Sequence, residues 1–530
     1  MTWWVLTRGF LRDYARNSTN LVVLVLVPVA FVLVAADSLA DAARLLGGDG
    51  TALEQATAGW AAGFLAAVAM YFQVSAARDA DRRLLLCGAR PLTLVAARLL
   101  TGTCLAVVAA GVSLAVLALR EPVDHPGRLV VGTTMFALVY LGIGAAVGSV
   151  ARDPVNGSVV VLFVWILDVF FGPTLSSSES PLTRLLPTHF VSLWLADTPS
   201  GHAGWLGDLG VSAAWVALSL GVSAVLIART SAVGRGNRRS RRAAGSRRDQ
   251  YRRSLGMGMR ALGRNPAMWA LLAVVPGVFI VLSDVITPHG HTGIAVRENG
   301  RLAVRMFDPA EIHAGTMAPI AVASLAMLVG LFTILATGET DRRLCLAGLR
   351  PGVLLAVRLT TTGAAVLVAA VVSLAVTAAV FTPDGWPVYA LGNVLVAGTY
   401  ALVGVLVGPL FGRVSGVFLA FLVPFLDVGI SQSPMLSAQP DAWARWLPAY
   451  GGTRLVLDGA LTASFDETLP LLYAGVWLLV LAVLTSLLWW RTNARPGSSS
   501  RRSTGHASRW RHGRPTGTPG RWWRRTSPAR

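Results

Sequence analysis

One stretch of this chain occurs twice, and that duplication constrains the fold before any motif is interpreted. Residues 81–99 read DRRLLLCGARPLTLVAARL, and residues 341–359 read DRRLCLAGLRPGVLLAVRL. Asp81 matches Asp341, Arg82 and Arg83 match Arg342 and Arg343, and Leu84 matches Leu344. Gly88 matches Gly348, Arg90-Pro91 match Arg350-Pro351, and Arg98 matches Arg358. The register holds without a gap through Ser113-Leu114-Ala115-Val116 and Ser373-Leu374-Ala375-Val376, and still pairs Tyr140 with Tyr400. Long self-similarity of this kind sets the architecture as two copies of one unit. Each copy places a short charged segment between two long apolar runs, which reads as a loop between membrane spans.

The solvent of such a chain is lipid. Hydrophobic residues make up 54% of the 530 and charged residues 14%, against roughly 25% charged in an ordinary globular protein. The formal charge of +19 is concentrated in two places: residues 229–253 hold ten Arg and one acid, and residues 491–530 hold eleven Arg and no acid. Basic runs beside membrane spans are retained on the cytoplasmic side and attracted to anionic lipid. Membrane lipids are therefore the expected partners of these runs, and no nucleic acid is expected. Every basic residue is Arg, with no Lys anywhere. A GxxxxGK loop needs its Lys to reach the terminal phosphates of a nucleotide, so this chain carries no P-loop ATPase site. Cys87, Cys104 and Cys345 have no metal-ligand spacing, and Cys87 aligns with Ala347, so neither a disulfide framework nor a zinc site is expected.

Apolar runs predict spans near 21–36, 56–77, 91–119, 129–150, 156–173 and 206–228 in the first half. Matching runs in the second fall near 266–286, 315–337, 351–381, 388–411, 414–431 and 469–490. The expectation is an all-α polytopic membrane protein of about twelve spans, in two halves of six. An even number per half makes the repeat parallel. A cleaved signal peptide ending at Val34-Ala35-Ala36 is the rival reading of the first run. It is disfavoured because Arg16-Asn17 and Pro28 recur at the same spacing as Arg264-Asn265 and Pro276, in mid-chain. The units are then a first half over 1–229, an Arg-rich linker over 230–253, a second half over 254–490 and a basic, disordered tail over 491–530.

Arg asymmetry orients the chain. Arg8, Arg12 and Arg16 precede span 1; Arg78, Arg82, Arg83 and Arg90 follow span 2; Arg152 follows span 4; and the linker follows span 6. All fall on one side, which predicts a multi-pass protein of the cell membrane with both termini cytoplasmic. Residues 1–17, with Trp3, Trp4, Leu6, Phe10, Leu11 and Tyr14 among charges, suit an interfacial helix. Residues 287–314 form a longer opposite loop, in which Asn299-Gly300 between alternating apolar residues predicts a hairpin. His289, His291 and His313 there are irregularly spaced, and solvated loop histidines are the commoner reading. Leu182–Trp194 and Trp443–Leu457, around Leu186-Pro187 and Leu447-Pro448, predict external re-entrant or surface helices.

Within the duplicated stretch, Asp81 or Asp79 reads as the cap of a short helix, Gly88 as its left-handed end and Pro91 as the start of the next. A charged loop obeying the positive-inside rule is the bland alternative. With the amphipathic start, the acidic-basic-leucine-Gly-x-x-Pro loop at Asp81–Pro91 and Asp341–Pro351, the six-span pattern and the Leu-Pro stretches, residues 1–490 resemble an ABC-2 type transporter permease. The resemblance is to forms with two fused six-span halves, as among actinobacterial antibiotic and multidrug exporters. It implies that the loop after span 2 is a coupling helix docking on a separate P-loop ATPase subunit, present in two copies. Asp81, Arg82, Arg83, Leu84, Gly88, Arg90, Asp341, Arg342, Arg343, Leu344, Gly348 and Arg350 take that role by resemblance. ATP and magnesium would be bound by the partner, no cofactor by this chain, and a small amphiphilic substrate would move outward; no covalent chemistry is expected. This family's loop often begins with Glu where Asp81 and Asp341 stand here.

Asp168 and Asp427, one in span 5 of each half, are pathway candidates, because an acid within a span is costly and by default functional. Bonding to neighbouring backbone is the structural alternative. A major-facilitator-type secondary transporter, driven by a proton gradient, is the second reading of twelve parallel spans. Its loop expects Gly-Arg almost directly after Asp-Arg, whereas Arg83 and three Leu follow Asp81-Arg82 here. A polytopic membrane enzyme would need clustered acids or His at a membrane face, and no persuasive cluster is present.

Overall fold

Pro or Gly punctuates almost every apolar run, and helices follow because backbone polar groups in lipid must be satisfied within their own segment. The computed structural model describes residues 3–45, 50–120, 123, 125–151, 153–170, 172–173, 183–195, 204–230, 247–287, 289–298, 301–346, 348–436 and 439–493. The first half comprises α1 (Trp3–Ala15), α2 (Ser18–Leu45), α3 (Gly50–Leu86), α4 (Pro91–Arg120), α5 (Pro126–Val150), α6 (Pro154–Phe170), the short α7 (His189–Leu195) and α8 (Gly204–Thr230). The second comprises α9 (Arg247–Gly263), α10 (Pro266–Ile286), α11 (Pro309–Leu346), α12 (Pro351–Val380), α13 (Trp386–Pro424), α14 (Tyr450–Leu461) and α15 (Thr468–Asn493). Between α10 and α11 lies a hairpin of β1 (Thr292–Glu298) and β2 (Arg301–Phe307). The chain is an all-α polytopic membrane protein with this single hairpin among its described residues.

Among the described residues, ten helices are long and apolar enough to cross a membrane, and the differences from twelve fall at corresponding places. α6 is too short to meet that length. Its counterpart is the far limb of α13, which bends at Gly412 (φ 75°, ψ −167°) and continues into a π-helical turn over Phe425–Ser431. Pro154 restarts the helix in one half, while a left-handed glycine turns it without a break in the other. α9 begins at Arg247, inside the range read as linker, and Tyr251 meets the Thr360 hydroxyl at 2.9 Å on α12. The hairpin register pairs Glu298 with Arg301, leaving two residues between them; Asn299-Gly300 itself lies outside the described residues, as do residues 231–246 and the tail from 494.

α3 and α11 form the centre. Their membrane windows are 78% and 72% buried, against 17% for α8 and α15 at the periphery. Glycines on α5 and α13 let them approach: a Cβ on Gly144 would lie 2.0 Å from the Ala67 carbonyl oxygen, and one on Gly404 2.1 Å from that of Met327. Small residues serve this purpose in membrane bundles, where close backbone packing replaces the hydrophobic drive. The halves meet reciprocally, with α6 against α10 and α11, and α13 against α2 and α3. Phe31, Phe64, Trp165, Phe418, Phe421 and Phe425 interlock there, with Trp165 and Phe421 centroids 4.7 Å apart. Nearer the Arg-rich side, Asn156 donates to the Asn265 side-chain oxygen at 2.9 Å.

Candidate functional site

The duplicated stretch forms a tight corner, built the same way twice. α3 and α11 are 37 and 38 residues long, about 55 Å at 1.5 Å per residue, well beyond a hydrocarbon core of about 30 Å. Each therefore carries its DRRL segment out as its own last turns. This corrects the expected separate coupling helix: α3 runs unbroken to Leu86, and α11 runs through Gly338 to Leu346. Asp81 accordingly lies within a helix and caps nothing.

Both helices stop in a Schellman arrangement. Ala89 N–H donates to Leu84 O at 3.0 Å and Gly88 N–H to Leu85 O at 3.0 Å; Leu349 N–H donates to Leu344 O at 2.9 Å and Gly348 N–H to Cys345 O at 3.1 Å. Gly88 (φ 88°) and Gly348 (φ 95°) occupy the left-handed position such an end requires. No atom lies within 4 Å of a Cβ placed at either, so backbone conformation, not space, demands glycine. Pro91 and Pro351 then open α4 and α12, where a missing N–H costs nothing.

The acids of this stretch turn inward. Asp81 is buried and takes a two-pronged bond from Arg98 on α4, with Nη2 at 2.6 Å and Nε at 3.2 Å. Asp341 takes the same pair from Arg358, at 2.6 and 3.1 Å, and the Thr337 hydroxyl at 2.8 Å. Such bidentate pairs fix orientation as well as contributing energy. Phe10 of α1 covers the Arg98 guanidinium, 3.6 Å from its ring centre. Asp81 and Asp341 thus clamp the two helices that flank each corner and present no carboxylate to a partner. Leu84 and Leu344 are half-buried, as is Arg82, whereas Arg342 is exposed. The outward surface includes Arg83, Leu86, Cys87, Gly88 and Arg90 in one copy and Arg342, Arg343, Leu346, Gly348 and Arg350 in the other. Leu86 is 81% and Leu346 69% exposed, so each corner presents an apolar side chain between its arginines. From the sequence, Leu84 to Leu86 read as the apolar face of this segment, and the DRRLxL pattern keeps the matching Leu346. Arg98 and Arg358 carried a signal too, since the repeat retains them in an apolar run.

Asp168 and Asp427 are buried anchors as the structure places them. Tyr140 donates its hydroxyl to Asp168 at 2.5 Å, the Thr188 hydroxyl at 2.6 Å and the Thr188 N–H at 3.3 Å. Tyr400 donates to Asp427 at 2.5 Å, Ala449 N–H at 3.0 Å and the Gln432 amide completes the set. Thr188 and Ala449 follow the two Leu-Pro pairs and directly precede α7 and α14. Each acid therefore ties span 5 and span 4 to the start of the Leu-Pro element. Those elements are not surface helices: α7 is buried almost throughout between α5 and α8, and α14 between α13 and α15. Arg78 donates to the Gly148 and Ala151 carbonyls at the end of α5, the latter at 2.5 Å. In the hairpin loop, His289 meets Asp308 at 2.7 Å and His313 meets Thr287 at 2.6 Å, so these two histidines serve separate contacts. The His289 bond holds the half-buried Asp308 carboxyl below its usual range.

No curated protein matches this chain. The model of the family described as ABC-2 family transporter protein matches residues 59–230, from within α3 to the end of α8. The first half of this chain thus carries an ABC-2 family transporter domain.

Proposed function

We propose that this chain is a membrane-spanning subunit of an ATP-driven exporter, with two permease halves fused in parallel and two copies of a separate P-loop ATPase docked on its Arg-rich side. The single observation that carries this reading is the corner built twice, with the same clamp, the same glycine end and the same exposed leucine. A rigid corner on a long central helix passes displacement to the bundle, because α3 and α11 also line the junction between the halves. Closing of the ATPase pair moves both corners and rocks one half against the other, a rigid-body change at a packed interface. ATP and magnesium reside on the partner, and the cargo is an amphiphilic drug, antibiotic or lipid-like molecule. Both termini lie on the ATPase side of the cell membrane. A proton-driven secondary transporter draws no support from the family match.

The test is co-purification of the chain with a P-loop ATPase from its native host, using Leu86→Asp with Leu346→Asp as the variant. The expected result is loss of the ATPase and of ATP-driven efflux at unchanged thermal stability. Efflux that persists without any P-loop ATPase and collapses with the proton gradient would overturn the proposal.

A further inference from the structure

The two halves differ at a position where the repeat makes them otherwise alike. Gly142 on α5 touches α8 so closely that a Cβ there would lie 2.6 Å from Ser219. Leu402 occupies the corresponding place on α13. In the first half, Ala106, Ala110, Leu141 and Ile227 pack together between α4, α5 and α8, with Leu99 and Leu220 against them. In the second, Leu402 stands between α13 and α15, and the equivalent space is an open apolar groove of about 360 Å³ with α12 as its other wall. Gly363 and Gly398 line it, where the first half has Thr103 and Leu138. Val405 lines both this groove and a neighbouring chamber of about 280 Å³ between α11, α13 and α15, whose mouth carries Arg342 and Glu339.

We propose that this groove binds one anionic phospholipid, with an acyl chain in the upper chamber and its phosphate at Arg342. The walls lie in membrane-spanning helices, so the medium that fills them is lipid. From Val394 in the groove to Pro409 in the chamber, the two neighbouring cavities together cover about 22 Å along α13, the depth of one leaflet with its headgroup layer, about 20–22 Å. Polarity follows the same axis: the upper chamber is apolar, and the charged mouth sits at the Arg-rich end. Glu339 there faces Arg343 at 3.7 Å, while Arg342 makes no ion pair among the described residues. The Thr485 hydroxyl beside the lower chamber is buried and without a hydrogen-bond partner. This inference depends on the chain lying in a membrane and not on what it exports.

The experiment is native mass spectrometry of the whole chain in mild detergent, titrated with phosphatidylglycerol or phosphatidylcholine. Gly363→Phe fills the groove, since nothing lies within 4 Å of a Cβ at that site, and Gly111→Phe is an equally open control on α4. Wild type and the control should retain one phosphatidylglycerol, and Gly363→Phe should lose it at unchanged thermal stability without lipid. Arg342→Gln should keep a lipid but lower the preference for phosphatidylglycerol by roughly fivefold, the worth of one Arg at a membrane surface. Equal retention by wild type and Gly363→Phe, or no headgroup preference in wild type, would overturn the proposal. If Gly363→Phe fails to fold, Gly398→Leu, whose Cβ meets only Leu478 at 3.6 Å, gives the same reading.

Discussion

Arg98 and Arg358 each neutralise a carboxylate seventeen positions earlier, across the corner joining two long helices. Removing one member of a buried pair leaves an unpaired charge, which costs about 3–5 kcal/mol. Arg98→Gln should therefore lower the thermal midpoint in detergent strongly, while Asp81→Asn with Arg98→Gln should recover most of the loss; equal destabilisation by both would refute the clamp. Asp427 accepts from three donors at the foot of α14. In Asp427→Asn one oxygen remains to serve them, and the donors left unsatisfied cost about 1–3 kcal/mol. Efflux per folded molecule should stay unchanged in this variant and in Asp168→Asn, and a selective loss of efflux would restore the pathway reading. The acids themselves were evident from the sequence; their partners were not, because Gln432 reaches Asp427 only through the π-helical turn and Thr188 and Ala449 are brought in by packing.

At the scale of elements, two kinds of glycine do different work. Gly348→Val introduces no overlap but forces a β-branched residue into the left-handed region, a strain of about 1–2 kcal/mol. Its effect should appear mainly as a frayed corner, with partner-dependent ATP hydrolysis falling more than the thermal midpoint. Gly404→Ala is the converse case: the corner is untouched, but the new methyl overlaps the Met327 carbonyl. Pushing α13 off α11 should cost about 1–3 kcal/mol, read as a lowered midpoint in detergent. The glycine-to-proline corner could be read from spacing, since Gly88 and Pro91 are local signals. That the preceding helix runs unbroken through Asp81 could not, because a buried Asp in a helix is tolerable only once its Arg is known.

For the molecule as a whole, the junction of the halves is aromatic. Phe421 lies among Phe64, Trp165 and Phe425 and is 3% exposed. Phe421→Ala should cost about 2 kcal/mol, below the roughly 3–5 of a soluble core, since lipid is as apolar as the side chain and only packing is lost. Faster cross-linking between cysteines placed on α3 and α13 would register the loosened junction; an unchanged rate would show that these rings do not hold it. The reciprocity of this interface, span 5 of each half on spans 1 and 2 of the other, is what a parallel duplication yields when two like units pair about a pseudo-twofold axis.

Sequence alone determined the lipid solvent, the duplication, the apolar runs that became helices and the glycine-proline corners. Each of these is a local property, carried by composition, period or the backbone preference of one or two residues. Only the tertiary structure decided which charges face outward and which are spent inside. Asp81 and Asp341 proved inward-facing, while Leu86 and Leu346 proved exposed beside them. It also decided that three differences between the repeats, Leu402 for Gly142, Gly363 for Thr103 and Gly398 for Leu138, meet on one groove of the second half. Pairing and exposure depend on how closely helices distant in sequence approach, and that distance is set by side chains on both partners together.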